Sequence, residues 1–185
     1  MKYFDHPYNH TARNMRRVEI PIARWFVEQS PGARILEVGN VLSHYGPVRW
    51  PAVDLLEGPI KADVMKWKPD RPVDLLISIS TVEHIGFGKF ARDTAPTTPA
   101  DVLRRFRGFL APRGTAVATV PTAYNPVLDF ELKNGTLGVD QMWFMRAVGK
   151  NGWQECTMDE ALAMSPHACS NRWSGGLIVL VCDAP

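Results

Sequence analysis

Two runs in this chain, Asp74-Leu-Leu-Ile-Ser-Ile-Ser80 and Gly176-Leu-Ile-Val-Leu-Val-Cys182, show no alternation of polar and apolar side chains. A strand with one wetted face alternates, whereas a strand covered on both faces does not. The runs therefore point to a parallel sheet with helices on each side. Ile35–Val38, Val53–Leu56, Val73–Ile79, Thr115–Val120 and Leu177–Cys182 are the strands expected from β-branched, apolar content. Two helices are legible between them. Thr11–Gln29 carries Val18, Ile20, Ile22, Ala23, Trp25, Phe26 and Val27 and ends at Ser30-Pro31-Gly32, with Pro21 at a first turn or kink. Pro99–Leu110 closes at Pro112-Arg113-Gly114. The expectation is an α/β fold, a doubly wound, mostly parallel sheet of about six to seven strands with helices on both faces. Only Asn40 to Trp50 separates the first two strands, broken by Gly46-Pro47, so the first helix must be short or replaced by irregular structure.

A chain of 185 residues suits one domain, residues 1–185, with a helical segment or lid over 1–30 and the core over 33–185. MKYFDHPYNH has no apolar stretch of signal length, and no run approaches the roughly 20 residues of a membrane span, so a cytoplasmic protein without a membrane partner is expected. A net charge of +2 gives no pull towards nucleic acid. Arg104-Arg105-Phe-Arg107 alternates with apolar residues at helical spacing and reads as a solvated helix face. Cys156, Cys169 and Cys182 are too few and too scattered for a disulfide framework or a zinc knuckle.

Open α/β sheets bind ligands beyond the carboxyl ends of their strands, where strand order reverses. Those ends carry Glu37-Val-Gly39-Asn40, then Asp54 with Glu57 behind it, then Asp63, and finally Ser78-Ile-Ser-Thr-Val-Glu83-His84-Ile-Gly86. Glycine lets a backbone approach a ligand, and a carboxylate accepts hydrogen bonds or faces a cation. Each acid alone reads equally well as a cap or turn residue, but three at successive strand ends point to a nucleoside-type cofactor.

From about Ala33 to Val120, ILEVGNVLSHYG, ISISTVEHIG and LAPRGTAVATVP resemble the class I S-adenosylmethionine (SAM) dependent methyltransferases. The acid and first glycine of that family's E/D-x-G-x-G-x-G motif are kept, and Asn40 stands where the second glycine would be. The resemblance implies SAM held by Glu37, Gly39 and Asn40, by Asp54 and Leu55 at the ribose, by Asp63 and Val64 at the adenine, and by Ser80 and Thr81. The missing glycines would harm a pyrophosphate site far more than a sulfonium site, which argues against NAD. No G-x-x-x-x-G-K-[ST] loop is present.

Methyl transfer is an in-line displacement, so an alcohol acceptor must be aligned and deprotonated. His84 is the first candidate base and Glu83 the second, beside the plainer readings of a surface histidine and a helix-start acid. A divalent ion such as Mg2+ could do the same work through Asp93, Asp129, Glu131 or Glu83, and spacing does not decide between them. His44, Tyr45, Tyr124 and Asn125 are candidate acceptor contacts, although Asn-Pro is also ordinary turn chemistry. Absence of an N/D-P-P-Y/F/W signature lowers the case for nucleic-acid or glutamine N-methylation. The acceptor site is expected from the N-terminal segment and the loops 86–98, 124–138 and 157–174. Tyr3, Tyr8, Trp143, Trp153 and Trp173 in or near these segments suit a sugar face, and core packing explains such aromatics equally well. Tyr8, Asn9, Arg13, Asn14 and Arg17 could form a mobile lid over the cofactor carboxylate. The expected function is O-methylation of a saccharide or other small metabolite, with a small-molecule N-methyltransferase or a non-catalytic SAM-binding subunit or sensor as alternatives. Whether the chain forms a homodimer stays open.

Overall fold

The computed structural model describes residues 2–88, 97–149, 152–164 and 174–185. Among the described residues eight strands form one sheet: β1 (Ile35–Val38), β2 (Ala52–Asp54), β3 (Ile60–Lys61), β4 (Val73–Ile79), β5 (Leu110–Pro121), β6 (Gln141–Val148), β7 (Gly152–Cys156) and β8 (Gly176–Asp183). Their order is β3-β2-β1-β4-β5-β8-β6-β7. The first five pair in parallel, and β8, β6 and β7 join through antiparallel pairings. Strand order reverses at β1, whose neighbours β2 and β4 lead the chain to opposite halves of the sheet.

The strand count is slightly above the expected six to seven, and β3 and the β6–β7 hairpin are the strands that no apolar run named. β3 is two residues long, too short to carry a pattern. β6 leaves Met142 and Trp143 exposed, which blurs its period-two signal. β2 stops at Asp54 rather than Leu56, because Asp54 Oδ1 accepts the Leu56 and Glu57 N–H groups at 2.7 and 2.9 Å and turns the chain. The strand then gives way to exposed Leu55 and Leu56.

Among the described residues four α-helices flank the sheet: α1 (Arg16–Glu28), α2 (Pro99–Arg107), α3 (Pro126–Lys133) and α4 (Met158–Leu162). The expected helix over residues 11–29 is split, with a 3-10 segment over Tyr8–Arg13 and α1 beginning only at Arg16. Ile20 and Ala23 of α1 pack on one face of the sheet against Leu75, Ile77, Val117 and Val179. Val102, Leu103 and Phe106 of α2, with Leu128 and Leu132 of α3, cover the other face against Leu36, Leu76, Ala118 and Ile178. Each fully buried Leu, Ile or Phe contributes about 1.5–3 kcal/mol relative to exposure, so these layers dominate stability. Between β1 and β2 there is only a 3-10 turn, Leu42–Tyr45, in place of a crossover helix.

α2 starts where Thr98 and Asp101 form a reciprocal capping box and Pro99 occupies the first turn. It ends at Arg107, and the chain enters β5 at Leu110, earlier than expected. Arg113 at φ 67° and a register shift between Val73 and Leu75 absorb the Pro112-Arg113-Gly114 turn within the strand. The basic run is not a solvated face throughout. Arg105 donates to Trp67 O at 2.8 Å and stacks on Phe109, and Arg107 donates to the Gly138 and Asp183 carbonyls.

Candidate active site

A cleft of about 660 Å³ opens at the carboxyl ends of β1, β2 and β4, beside the reversal of strand order. Gly39, Asn40, Asp54, Leu55, Asp63, Val64, Ser80, Thr81, His84 and Tyr124 all line it. Val38, Val53 and Ile85 add apolar wall. This convergence follows from topology, since parallel strands deliver their following loops to one edge of the sheet.

Glu37 does not face the cleft. It is fully buried, and its Oε1 accepts the Val41 and Leu42 N–H groups, both at 2.7 Å. Burial pushes its carboxyl above the usual range, and those N–H groups partly offset the rise. Its role is to shape the loop that carries Gly39 and Asn40. Gly39 has φ +85°, and a Cβ there would lie 2.1 Å from Thr81 Oγ1, so β1 and β4 could not approach as they do with any other residue. Asp54 is both turn former and cleft wall. Asp63 Oδ1 accepts Met65 N–H at 2.9 Å while Oδ2 lies 3.7 Å from Lys66 Nζ, and the side chain keeps 21% exposure. Two carboxylates thus border an apolar-walled cleft, an acceptor pair suited to a nucleoside's hydroxyls and amine.

The segment after β4 carries Ser80, Thr81, Glu83 and His84. Ser80 adopts φ 41°, a left-handed conformation that a non-glycine residue holds only when its surroundings secure it. Its hydroxyl donates to Glu19 Oε1 at 2.7 Å, as does Thr119 Oγ1, while Arg16 donates to Glu19 Oε2 at 2.7 Å. Glu19 has no solvent exposure. Ser80's side chain therefore points into this buried network and only the residue's remainder lines the cleft. Sequence reasoning missed the network, although Glu19 sits in the apolar stripe of α1 with Met15, Val18, Ile22 and Ala23, where an acid demands a partner.

His84 and Tyr124 meet at the mouth of the cleft, with Tyr124 Oη 3.0 Å from His84 Nδ1. Glu83 lies behind them, 1% exposed, with Oε1 3.7 Å from His84 Nε2. Burial raises the Glu83 carboxyl to about 8, the Glu19 charge adds to the rise, and Arg16 counters it. Burial, then the Glu83 charge, also raises the Tyr124 phenol. Glu83 is thus removed from direct contact with a cleft ligand, contrary to expectation. Asn125 is likewise buried rather than acceptor-facing. Its side chain caps α3 at Val127 N–H and donates to Glu83 O at 2.9 Å.

Other expected contacts fall elsewhere. Tyr45 is buried among Phe4, His6 and Tyr8, and His44 pairs with Glu57 Oε1 at 2.9 Å and stacks on Tyr8, so neither lines the cleft. Nor do Tyr8, Asn9, Arg13, Asn14 or Arg17. Asn14 is buried and donates to Asn9 O, and Arg17 pairs with Asp5 and stacks on Tyr3. These bonds tie the N-terminal segment to α1 instead of placing a lid over the cleft. Tyr3 donates to Trp153 O, Trp153 is core, and Trp143 borders a separate groove with Trp25 and Phe26. Trp173, Cys169 and Asp93 lie outside the described residues. Among the described residues no three His, Cys, Asp or Glu side chains gather as a metal site. Glu131 accepts Ala100 N–H and Asp129 accepts Ala123 N–H. Among the same residues no helix is long and apolar enough to cross a membrane.

No family model and no curated protein matches the sequence. Solved structures do match the fold. The N-methyltransferase NodS from Bradyrhizobium japonicum WM9 in complex with S-adenosyl-L-homocysteine is 11% identical, covers 93% of this chain and 89% of its own, and gives a TM-score of 0.55. A second structure of NodS from the same organism is 10% identical over 92% of this chain and 96% of its own, with a TM-score of 0.51. The fold is therefore similar to that of this N-methyltransferase.

Proposed function

We propose that this chain binds SAM in the cleft and methylates a hydroxyl of a saccharide or other small metabolite. The observation that carries the proposal is the meeting, on one cleft, of Asp54 and Asp63 with the His84–Tyr124 pair. Asp54 would hold the ribose, Asp63 the adenine amine, and Gly39 and Asn40 would leave room for the methionine portion. When bound, SAM supplies a methyl group on a sulfonium, an electrophile that needs no phosphate site. The chain's own tasks are to align the acceptor and to take its proton, which the His84–Tyr124 pair is placed to do. Tyr124 is 43% exposed with Phe87 6.0 Å away, an aromatic edge suited to the apolar face of a sugar ring. The similarity to NodS favours a second reading, a small-molecule amine acceptor. A non-catalytic SAM-binding subunit or sensor is the third.

Calorimetry with SAM, S-adenosylhomocysteine and NAD tests the cofactor, and NAD binding without SAM binding would sink the proposal. A panel of saccharides, phenols and amines, each with and without a chelator, tests the chemistry. Methylation of amines alone replaces the hydroxyl reading, and binding without transfer to any acceptor leaves the non-catalytic one.

A further inference from the structure

Tyr124 lines the cleft beside His84, and the fold holds it there from three sides. Ala123 adopts φ 58°, a left-handed conformation costing about 1–2 kcal/mol for a residue with a Cβ. Its N–H donates to Asp129 Oδ2 at 3.1 Å, which secures that turn. Asn125, on the other side, is pinned to α3 through Val127 N–H and to the Glu83 carbonyl, next to His84 itself. The Tyr124 ring meets the imidazole edge-on, with centroids 4.7 Å apart and planes at 72°. Strain placed immediately before an aromatic hydroxyl, with a buried clamp immediately after it, is the pattern expected of a group whose aim matters.

Tyr124 Oη and His84 Nδ1 share a hydrogen bond whose direction follows the imidazole tautomer. A relay towards His84 uses the tautomer in which Tyr124 O–H donates to the Nδ1 lone pair. The imidazole proton then sits on Nε2, the nitrogen facing the buried Glu83 carboxyl at 3.7 Å. In this arrangement the basic lone pair of His84 is already engaged, and the phenol oxygen is what the cleft presents.

We infer that Tyr124 is the residue an acceptor hydroxyl meets, and that it relays the proton to His84 Nδ1. The inference rests on the methyl-transfer reading above. As the acceptor oxygen bonds to the methyl carbon, the carbon–sulfur bond breaks and its electron pair stays on sulfur as a neutral thioether. The acceptor O–H proton passes to the Tyr124 oxygen while the Tyr124 proton passes to His84 Nδ1. The imidazolium later releases that proton to solvent. His84 is the proton store, Tyr124 the contact, and Asn125 and Asp129 are positioning residues.

The test compares the full chain with Tyr124→Phe and His84→Gln, using nitrogen NMR of His84 in the ligand-free protein, SAM calorimetry and turnover on whichever acceptor the panel identifies. The expected spectrum has Nδ1 unprotonated and hydrogen-bonded and Nε2 bearing the proton, and Tyr124→Phe releases Nδ1 and changes that balance. SAM affinity should stay within about threefold in both variants, reporting intact folding, while Tyr124→Phe loses about 10²-fold in kcat. Unchanged His84 nitrogen signals in Tyr124→Phe would overturn the pairing whatever the turnover. Full kcat in Tyr124→Phe, with none in His84→Gln, would overturn the relay and make His84 the direct base. Failure of the methyl-transfer reading shows separately, as absent turnover by the unaltered chain.

Discussion

Gly39→Ala isolates the contact that lets β1 and β4 converge on the cleft. The added Cβ would sit 2.1 Å from Thr81 Oγ1 and 2.9 Å from both Thr81 Cβ and Cγ2, on a backbone at φ +85°. The left-handed backbone costs alanine about 1–2 kcal/mol, and overpacking adds about 1–3 kcal/mol. Alanine's narrower unfolded ensemble returns about 0.4–1 kcal/mol. The net expectation is a loss of about 3 kcal/mol, read as a lower urea midpoint at unchanged slope. Thr81→Ala removes the nearest atom, so a double-mutant cycle should recover most of the overpacking and leave the backbone cost behind. The shifted loop carries Asn40, so SAM affinity should fall with stability in the single variant and partly return in the double. A loss under about 1 kcal/mol, or strictly additive variants, would refute the argument that Thr81 is what excludes a side chain here.

Asp63→Asn keeps an oxygen for the Met65 N–H but removes the charge facing the cleft. It should weaken SAM about 10- to 100-fold by calorimetry, the worth of one charge-assisted hydrogen bond, and unchanged affinity would remove Asp63 from the cofactor site. Glu83 keeps its proton in the folded chain up to about 8, whereas its ordinary value is 4.5. Between those values the unfolded chain has released the proton and the folded chain has not, so this group's contribution to stability declines as pH rises. The decline is about 1.4 kcal/mol per pH unit for one proton. Glu83→Gln should flatten that dependence in urea titrations at pH 5, 6.5 and 8, and identical slopes in both proteins would contradict a protonated Glu83.

Much of the cleft was legible in the chain because parallel strands bring the residues that follow them to one edge. Gly39, Asp54, Asp63, Thr81, His84 and Tyr124 could be placed together from order alone, and the structure gathers them. Which way each side chain points was not legible. Glu37 and Asp54 both follow the strand-end pattern, yet Glu37 turns inward to the Val41 and Leu42 N–H groups while Asp54 borders the cleft. Glu83 and His84 are adjacent, and one is buried while the other lines the mouth.

Local chemistry in the sequence determined that β4 and β8 are covered on both faces and that α2 starts at Pro99. Those properties depend on residue type and near neighbours. Tertiary structure alone decided that β8 runs antiparallel to β5, since burial on both faces is blind to direction. It also decided that Glu19 of α1 meets Ser80 and Thr119, 61 and 100 positions away. The same holds for Tyr124 reaching His84 across 40 residues, because such pairs exist only once packing has brought distant backbone together.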